Sequence, residues 1–368
     1  MLKNPNGSKS TTNMKILKDN IQKYQISDAE NIREAIKHLD IGGIGFITII
    51  DKGKKVRGII TDGDFRRAIL KGISLDSNVL DIANKDFSFV EGNYSEKEVI
   101  NLFLKRNIFI IPVLKEGRLF AILHRGDYEL AQKFIISNKK RDISVVIMAG
   151  GKGMRMKPFT NILPKPLIPI GEQSILEVIM DRYSLFFNAN FFISVNYKAN
   201  VIKAYLDEFK NKYDFSFIDE DKPLGTGGAL QFLKNKIKGP VFVSNCDIII
   251  KSNYQDIYEK HLKNGYDITI VASMMHYKIP YGVCEINKSG LLNKMVEKPE
   301  FDFLVNAGMY IINPTMLKYI PENKFYNITD LINIGKKDGK NIGVYPVSEK
   351  AYLDLGQWSE YEKNTGIS

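Results

Sequence analysis

Residues 143–158 read ISVVIMAGGKGMRMKP, and the fold turns on this stretch. Within it, 145–149 is a continuous apolar run with no polar alternation, as expected of a strand covered on both faces of a sheet. The run stops at Gly150-Gly151, with Gly153 close behind. Glycines placed directly after a buried strand let the backbone turn sharply and offer N–H groups to an anion. Four more apolar runs follow, at 191–195, 241–244, 268–272 and 309–312, and helical spacing appears between some of them, at 175–185 and 201–209. Strands alternating with helices predict an α/β sheet.

Three phosphate-binding patterns compete for the glycine loop. A P-loop needs Gly-Lys-Ser/Thr after four intervening residues, and none is present. A dinucleotide fingerprint starting at Gly151 has Met156 in its third glycine position. The remaining pattern uses what comes next: Arg155, Pro158, and then Pro164-Lys165-Pro166-Leu167-Ile168-Pro169. This segment resembles the sugar-phosphate nucleotidylyltransferase signature GGxGTRLxP…PKPxxP, with Met154 where that family carries Thr or Ser. The resemblance implies that Ala149, Gly150, Gly151 and Gly153 cradle a nucleoside triphosphate. Arg155 would hold the departing pyrophosphate and Lys165 the α-phosphate.

Later segments keep the family's order. Leu224-Gly225-Thr226-Gly227 resembles its base-binding loop, where small residues let a base lie flat against backbone. Asp247 ends a buried run and Asp354 follows far downstream. They resemble the family's two acids, which implies Mg²⁺ between carboxylates and phosphate. Gly282, Glu297, Lys298 and Asn306 resemble its sugar-phosphate-binding elements. Taken alone, a Glu-Lys pair is ordinarily a solvated surface pair, and an isolated Asp is as often a turn or cap residue; the order of the motifs gives these residues their meaning.

The N-terminal third is organised differently. Residues 46–65 and 109–128 align without a gap at an offset of 63, each reading as strand, charged glycine turn, strand, then Gly-Asp-aromatic. Helical spacing precedes each copy, at 31–39 and 95–106. The repeat resembles a tandem CBS-domain pair, a regulatory module that often binds adenine nucleotides. The first copy carries the pattern Gly-x-x-Thr-x-x-Asp at Gly58, Thr61 and Asp64. The second reads Ala121, His124 and Asp127 and has lost the Gly and the Thr. Thr61, Asp64 and Asp127 are thus the candidate ligand residues, with a helix-capping role as the plain alternative for the acids.

Together these readings predict a Rossmann-like, mixed-sheet nucleotidyltransferase domain at 143–368. Ahead of it come a disordered tail at 1–14, a tandem CBS-domain pair at 15–136 and a linker at 137–142. The expected reaction joins a nucleoside triphosphate to a sugar 1-phosphate and releases pyrophosphate. The arrangement most resembles guanylyltransferases that form GDP-glucosamine from GTP and glucosamine 1-phosphate on the route to legionaminic acid. Transfer from dTTP, UTP or CTP to another hexose 1-phosphate stays open. An inactive nucleotide sensor would lack Lys165 or one of the acids; a fused acyltransferase would need hexapeptide repeats.

The net charge of +10 comes from scattered lysines rather than a basic stripe, which argues against a nucleic-acid partner. Two cysteines, Cys246 and Cys284, form no metal-spaced pair. The N-terminus has no apolar leader and no run approaches a membrane span, so the expected location is the cytoplasm. A homodimer built through the CBS pair is a further expectation.

Overall fold

The computed structural model describes residues 15–95, 98, 99, 102, 103, 108–124, 140–356, 358, 361 and 362. It divides into two compact units between Lys139 and Lys140. The tail at 1–14, most of the helix expected at 95–106, and Asp127 lie outside the described residues.

In the first unit, β1 is Lys15–Leu17, β2 Gln25–Ser27, β3 Phe46–Ile50 and β4 Val56–Thr61. β5 is Val90–Glu91, β6 Ile110–Lys115 and β7 Arg118–His124. The sequence repeat reappears as one strand arrangement used twice. β2 runs parallel to β3, and β3 antiparallel to β4. β5 runs parallel to β6, and β6 antiparallel to β7. Helix α1, Ile32–Gly42, starts where the Asn31 side chain accepts the Glu34 N–H at 3.0 Å. It buries Ile32, Ala35, Ile36 and Leu39, the residues whose spacing predicts it. Helix α2 is Asp62–Leu70.

The second unit opens with β8, Arg141–Met148. Arg141 and Asp142, expected in the linker, are instead the first residues of this strand. They pair with Phe187 and Asn188, and Asp142 accepts a 3.0 Å bond from the Asn188 amide. Then follow β9 (Pro169–Ile170) and β10 (Gln173–Ser174), α3 (Ile175–Phe186), β11 (Phe187–Val195), α4 (Ala199–Asp207) and β12 (Asp214–Asp219). β13 is Val241–Asn245 and β14 Ile248–Ile250, before α5, Tyr254–Lys263. The rest are β15 (Ile268–Lys278), β16 (Val283–Ile286), β17 (Leu292–Val296) and β18 (Glu300–Ile312), α6 (Ile328–Lys337), and β19 (Ile342–Val347) and β20 (Tyr352–Asp354).

Among the described residues the main sheet has the order β12-β11-β8-β13-β18-β15-β19. β12, β11, β8 and β13 are parallel, and β18 runs against both of its neighbours. Val145, Val146 and Ile147 are fully buried at its centre, as the apolar run requires. The chain leaves β8 for β11 on one side and later returns to β13 on the other. The strand order therefore reverses between β8 and β13, the place in an open α/β sheet where the loops leaving the two carboxyl ends diverge. β15 and β18 continue past the sheet as a ribbon, pairing Lys278 with Glu300. The sequence runs at 268–272 and 309–312 mark only its inner half. The outer half carries exposed Tyr277, Phe301 and Phe303 between polar residues. No helix among the described residues is long and apolar enough to cross a membrane.

Candidate active site

Parallel strands deliver their following loops to one edge of the sheet. Asn245, the last residue of β13, sits opposite Met148, the last of β8. The glycine loop and Asp247 thus emerge side by side. Ala149 continues the strand for one residue, its N–H bonded to the Ser194 carbonyl at 2.9 Å. A Cβ on Gly150 would lie 3.2 Å from Glu220 Oε1, whereas one on Gly151 would meet nothing within 4 Å. Gly153 has φ +61°, and a Cβ there would come within 2.8 Å of Thr160 and 3.1 Å of Lys165. At Gly153 the loop therefore folds directly onto the proline-flanked segment, and only glycine permits the approach. Arg155 stands exposed on the turn that follows, Met154–Met156, beside an exposed Met154.

Lys165 is buried and forms an ion pair with Asp247. β14, which begins just after Asp247, pairs with β20 so that Ile248 stands opposite Asp354. The Leu355 N–H bonds the Asp247 carbonyl at 2.9 Å. The outcome is read most directly at Gly356. A Cβ on this residue would lie 2.7 Å from Asp354 Oδ1, 2.8 Å from Asp247 Oδ2 and 3.1 Å from Lys165 Nζ. Two acids over a hundred positions apart and the lysine of the Pro-Lys-Pro run thus surround one point, left open by the missing side chain. Two carboxylates suit a hard cation that completes its shell with phosphate and water oxygens. Among the described residues no group of three or more His, Cys, Asp or Glu is arranged for a metal. Cys246, next to Asp247, is held protonated: burial, reinforced by the Asp247 charge, pushes its thiol up to about 12.

The remaining candidates fall into two groups. In the ribbon region, a Cβ on Gly282 would lie 2.8 Å from Glu297 Oε2, so these two meet. Lys298 follows with φ +47°, its N–H 3.3 Å from the Tyr281 carbonyl. Asn306 donates to the Tyr310 hydroxyl at 2.7 Å and accepts the Gly308 N–H at 3.0 Å. It marks a bulge in the β15–β18 pairing, where a Cβ on Gly308 would press to 2.6 Å from the Asn245 amide. In the second group, 224–227, the glycines pack against the chain itself. Cβ atoms on Gly225 and Gly227 would strike the chain's own Tyr326 and Asn327 backbone at 2.8 and 3.0 Å. The Gly227 and Gly228 N–H groups bond the Tyr326 carbonyl at 2.9 and 3.0 Å, and Thr226 Oγ1 accepts the Ile328 N–H at 3.1 Å. At Gly225 and Gly227 the missing side chains make room for residues 326–328, and Leu224 is buried.

Three residues that sequence reading missed hold this site together. Glu220 accepts the Ser194 hydroxyl and, at 2.9 Å, the Leu224 N–H, tying the ends of β11 and β12 to the 224–228 turn. Asn196 donates to the Glu220 carbonyl at 2.6 Å. Thr160, fully buried, donates to the Gly153 carbonyl at 2.9 Å. None belongs to a recognisable spacing, and only the contacts reveal them.

In the first unit, Thr61 and Asp64 form a capping box at the start of α2. The Asp64 carboxylate accepts the Thr61 N–H at 2.9 Å and its hydroxyl at 2.6 Å, and pairs with Arg67. A ribose diol would have to compete with these partners.

Residues 144–366 match the Nucleotidyl transferase family model. The chain belongs to that family. Residues 24–71 of this nucleotidyl transferase match the CBS domain model. It is 34% identical over 188 residues to the mannose-1-phosphate guanyltransferase of Pichia angusta, covering 48% of this chain and 50% of that one. With the Schizosaccharomyces pombe protein of the same name it shares 28% identity over 233 residues, 61% of this chain and 63% of that one. The chain spans about half the length of the first of these curated relatives. Among solved structures, HddC from Yersinia pseudotuberculosis is 25% identical with a TM-score of 0.48, covering 61% of this chain and 98% of that one.

Proposed function

We propose that this nucleotidyl transferase moves GMP from GTP onto a hexose 1-phosphate, with release of pyrophosphate. Glucosamine 1-phosphate is the acceptor expected from the sequence. Mannose 1-phosphate is the second reading, favoured by the name of the mannose-1-phosphate guanyltransferases to which the chain is similar. The observation that carries the proposal is the meeting of Lys165, Asp247 and Asp354 around Gly356.

The chemistry needs no base. A phosphate oxygen is already an anionic nucleophile, so catalysis reduces to in-line placement and charge neutralisation. Lys165, buried beside the acids, would lower the cost of charge gathering on the α-phosphate. Arg155, on its exposed turn, would grip the leaving pyrophosphate through bidentate bonds. The backbone at Ala149, Gly150, Gly151 and Gly153 would receive the phosphates, and the turn at Leu224, Gly225, Thr226 and Gly227 would border the base. Glu297, Lys298 and Asn306, with Gly282, would seat the sugar phosphate. Asp247 and Asp354 would hold Mg²⁺, which when bound supplies positive charge shared between phosphates. In the first unit, Thr61, Asp64 and Asp127 are the proposed contacts for an adenine nucleotide, and the CBS pair the proposed dimer contact.

The test is pyrophosphate release from GTP, UTP, CTP and dTTP, each paired with glucosamine, mannose and glucose 1-phosphates. GTP with glucosamine 1-phosphate is expected to be fastest. Silence from every pair would refute the assignment.

A further inference from the structure

Phe159 lies between Arg155 and Lys165, and Trp358 lies just beyond Gly356. Their rings stack at 4.7 Å with an interplanar angle of 13°. Trp358 in turn stacks on Tyr361 at 5.3 Å and 22°. Tyr361 is buried and its hydroxyl donates to the Pro169 carbonyl. The three rings therefore bind both flanks of the segment that carries Lys165 to the chain leaving Asp354.

We propose that this stack is a latch that holds Arg155 and Lys165 in register with Asp354, making Phe159, Trp358 and Tyr361 positioning residues for the transfer; the inference rests on the function proposed above. The connections form a closed ring. From Asp354 the chain reaches Trp358, which stacks on Phe159. Phe159 leads to Lys165, Lys165 pairs with Asp247, and the Asp247 carbonyl accepts the Leu355 N–H at 2.9 Å. A displacement at the stack is therefore delivered to the Lys165–Asp247–Asp354 cluster. Next door, Thr160 pins the opposite side of the same turn to Gly153. Phe159 remains 46% exposed even while stacked, so it adds little to a core, whereas aromatic pairs favour defined separations and tilts. Small misplacement of a reacting group is costly in rate, so a contact that fixes geometry matters beyond its area.

Trp358 is the only tryptophan in the chain, so its emission reports on the stack. The full-length protein would be compared with Trp358→Ala, Trp358→Phe and Phe159→Ala in steady-state assays with varied GTP, acceptor and Mg²⁺, alongside thermal melts. Both alanine variants are expected to lose at least ~10-fold in kcat with little change in acceptor KM or melting temperature, and Trp358→Phe to recover most of the rate. Phe159→Ala should also red-shift the tryptophan emission of the free protein. Wild-type kcat and Mg²⁺ dependence in both alanine variants would overturn the latch and leave the function standing. An inert wild type would overturn the function, and the latch with it.

Discussion

Lys165 and Asp247 form an ion pair, and Asp354 faces the same point. The ammonium thus offsets two carboxylates that would otherwise repel one another. Lys165→Ala and Asp247→Ala are each expected to lower kcat by at least ~10²-fold, the scale for removing one key electrostatic group, as followed by pyrophosphate release. They should differ in stability. Lys165→Ala leaves the carboxylates uncompensated, so its melting temperature should fall without divalent cation and rise on adding Mg²⁺ by more than that of the wild type. A thermal-shift titration reads both effects. These residues were legible because each stands in a spaced motif. Glu220, Thr160 and Trp358 were not, since each works through one contact with a distant segment and leaves no periodic trace.

Short elements do the decisive placing. The three-residue β14–β20 ladder brings the two acids together, and it is too brief to produce a hydrophobic pattern. The long buried strands announce themselves as apolar runs, whereas the outer ribbon of β15 and β18 hides behind alternation. Glycine positions tell only that a side chain is missing, not what fills the gap, and the packing of 224–227 against residues 326–328 leaves no sequence pattern. At the β18 bulge, Gly308 combines φ +72° with a close approach to Asn245. Gly308→Ala should cost about 1–3 kcal/mol through strain alone, measurable by urea denaturation. The α5 helix carries buried His261, whose ring nitrogens meet Thr269 at 2.8 Å and Asn313 at 3.1 Å. Burial holds its pKa below the usual value, against the opposing pull of the Asn313 bond and the Asp267 charge. The unfolded chain therefore binds the proton more readily. This contribution to stability is complete above about pH 6.5 and is lost as the pH falls below it. The urea midpoint should drop on acidification through that range, and more steeply in the wild type than in His261→Gln.

At the scale of the whole molecule, each unit has its own hydrophobic clusters, around Ile47 and Ile60 or Val113 and Leu123 in the first and around Val146, Val243 and Ile312 in the second. Residues 140–368 expressed alone should therefore melt cooperatively and transfer nucleotide. Any response of the full chain to adenine nucleotides should disappear; a nucleotide response in the truncated protein would remove the first unit from that role. The two-part plan was readable from the 63-residue repeat and the change of pattern after it, and the exact start of β8 was not, because Arg141 and Asp142 look like linker and pair only through neighbours. The main sheet is complete by Val347, yet the second acid arrives only at Asp354. A premature stop codon in that interval would encode every strand of the main sheet without Asp354, and such a chain is expected to lose the transfer proposed above. Alleles of this kind should be as damaging as active-site lesions, however much of the sheet they still encode.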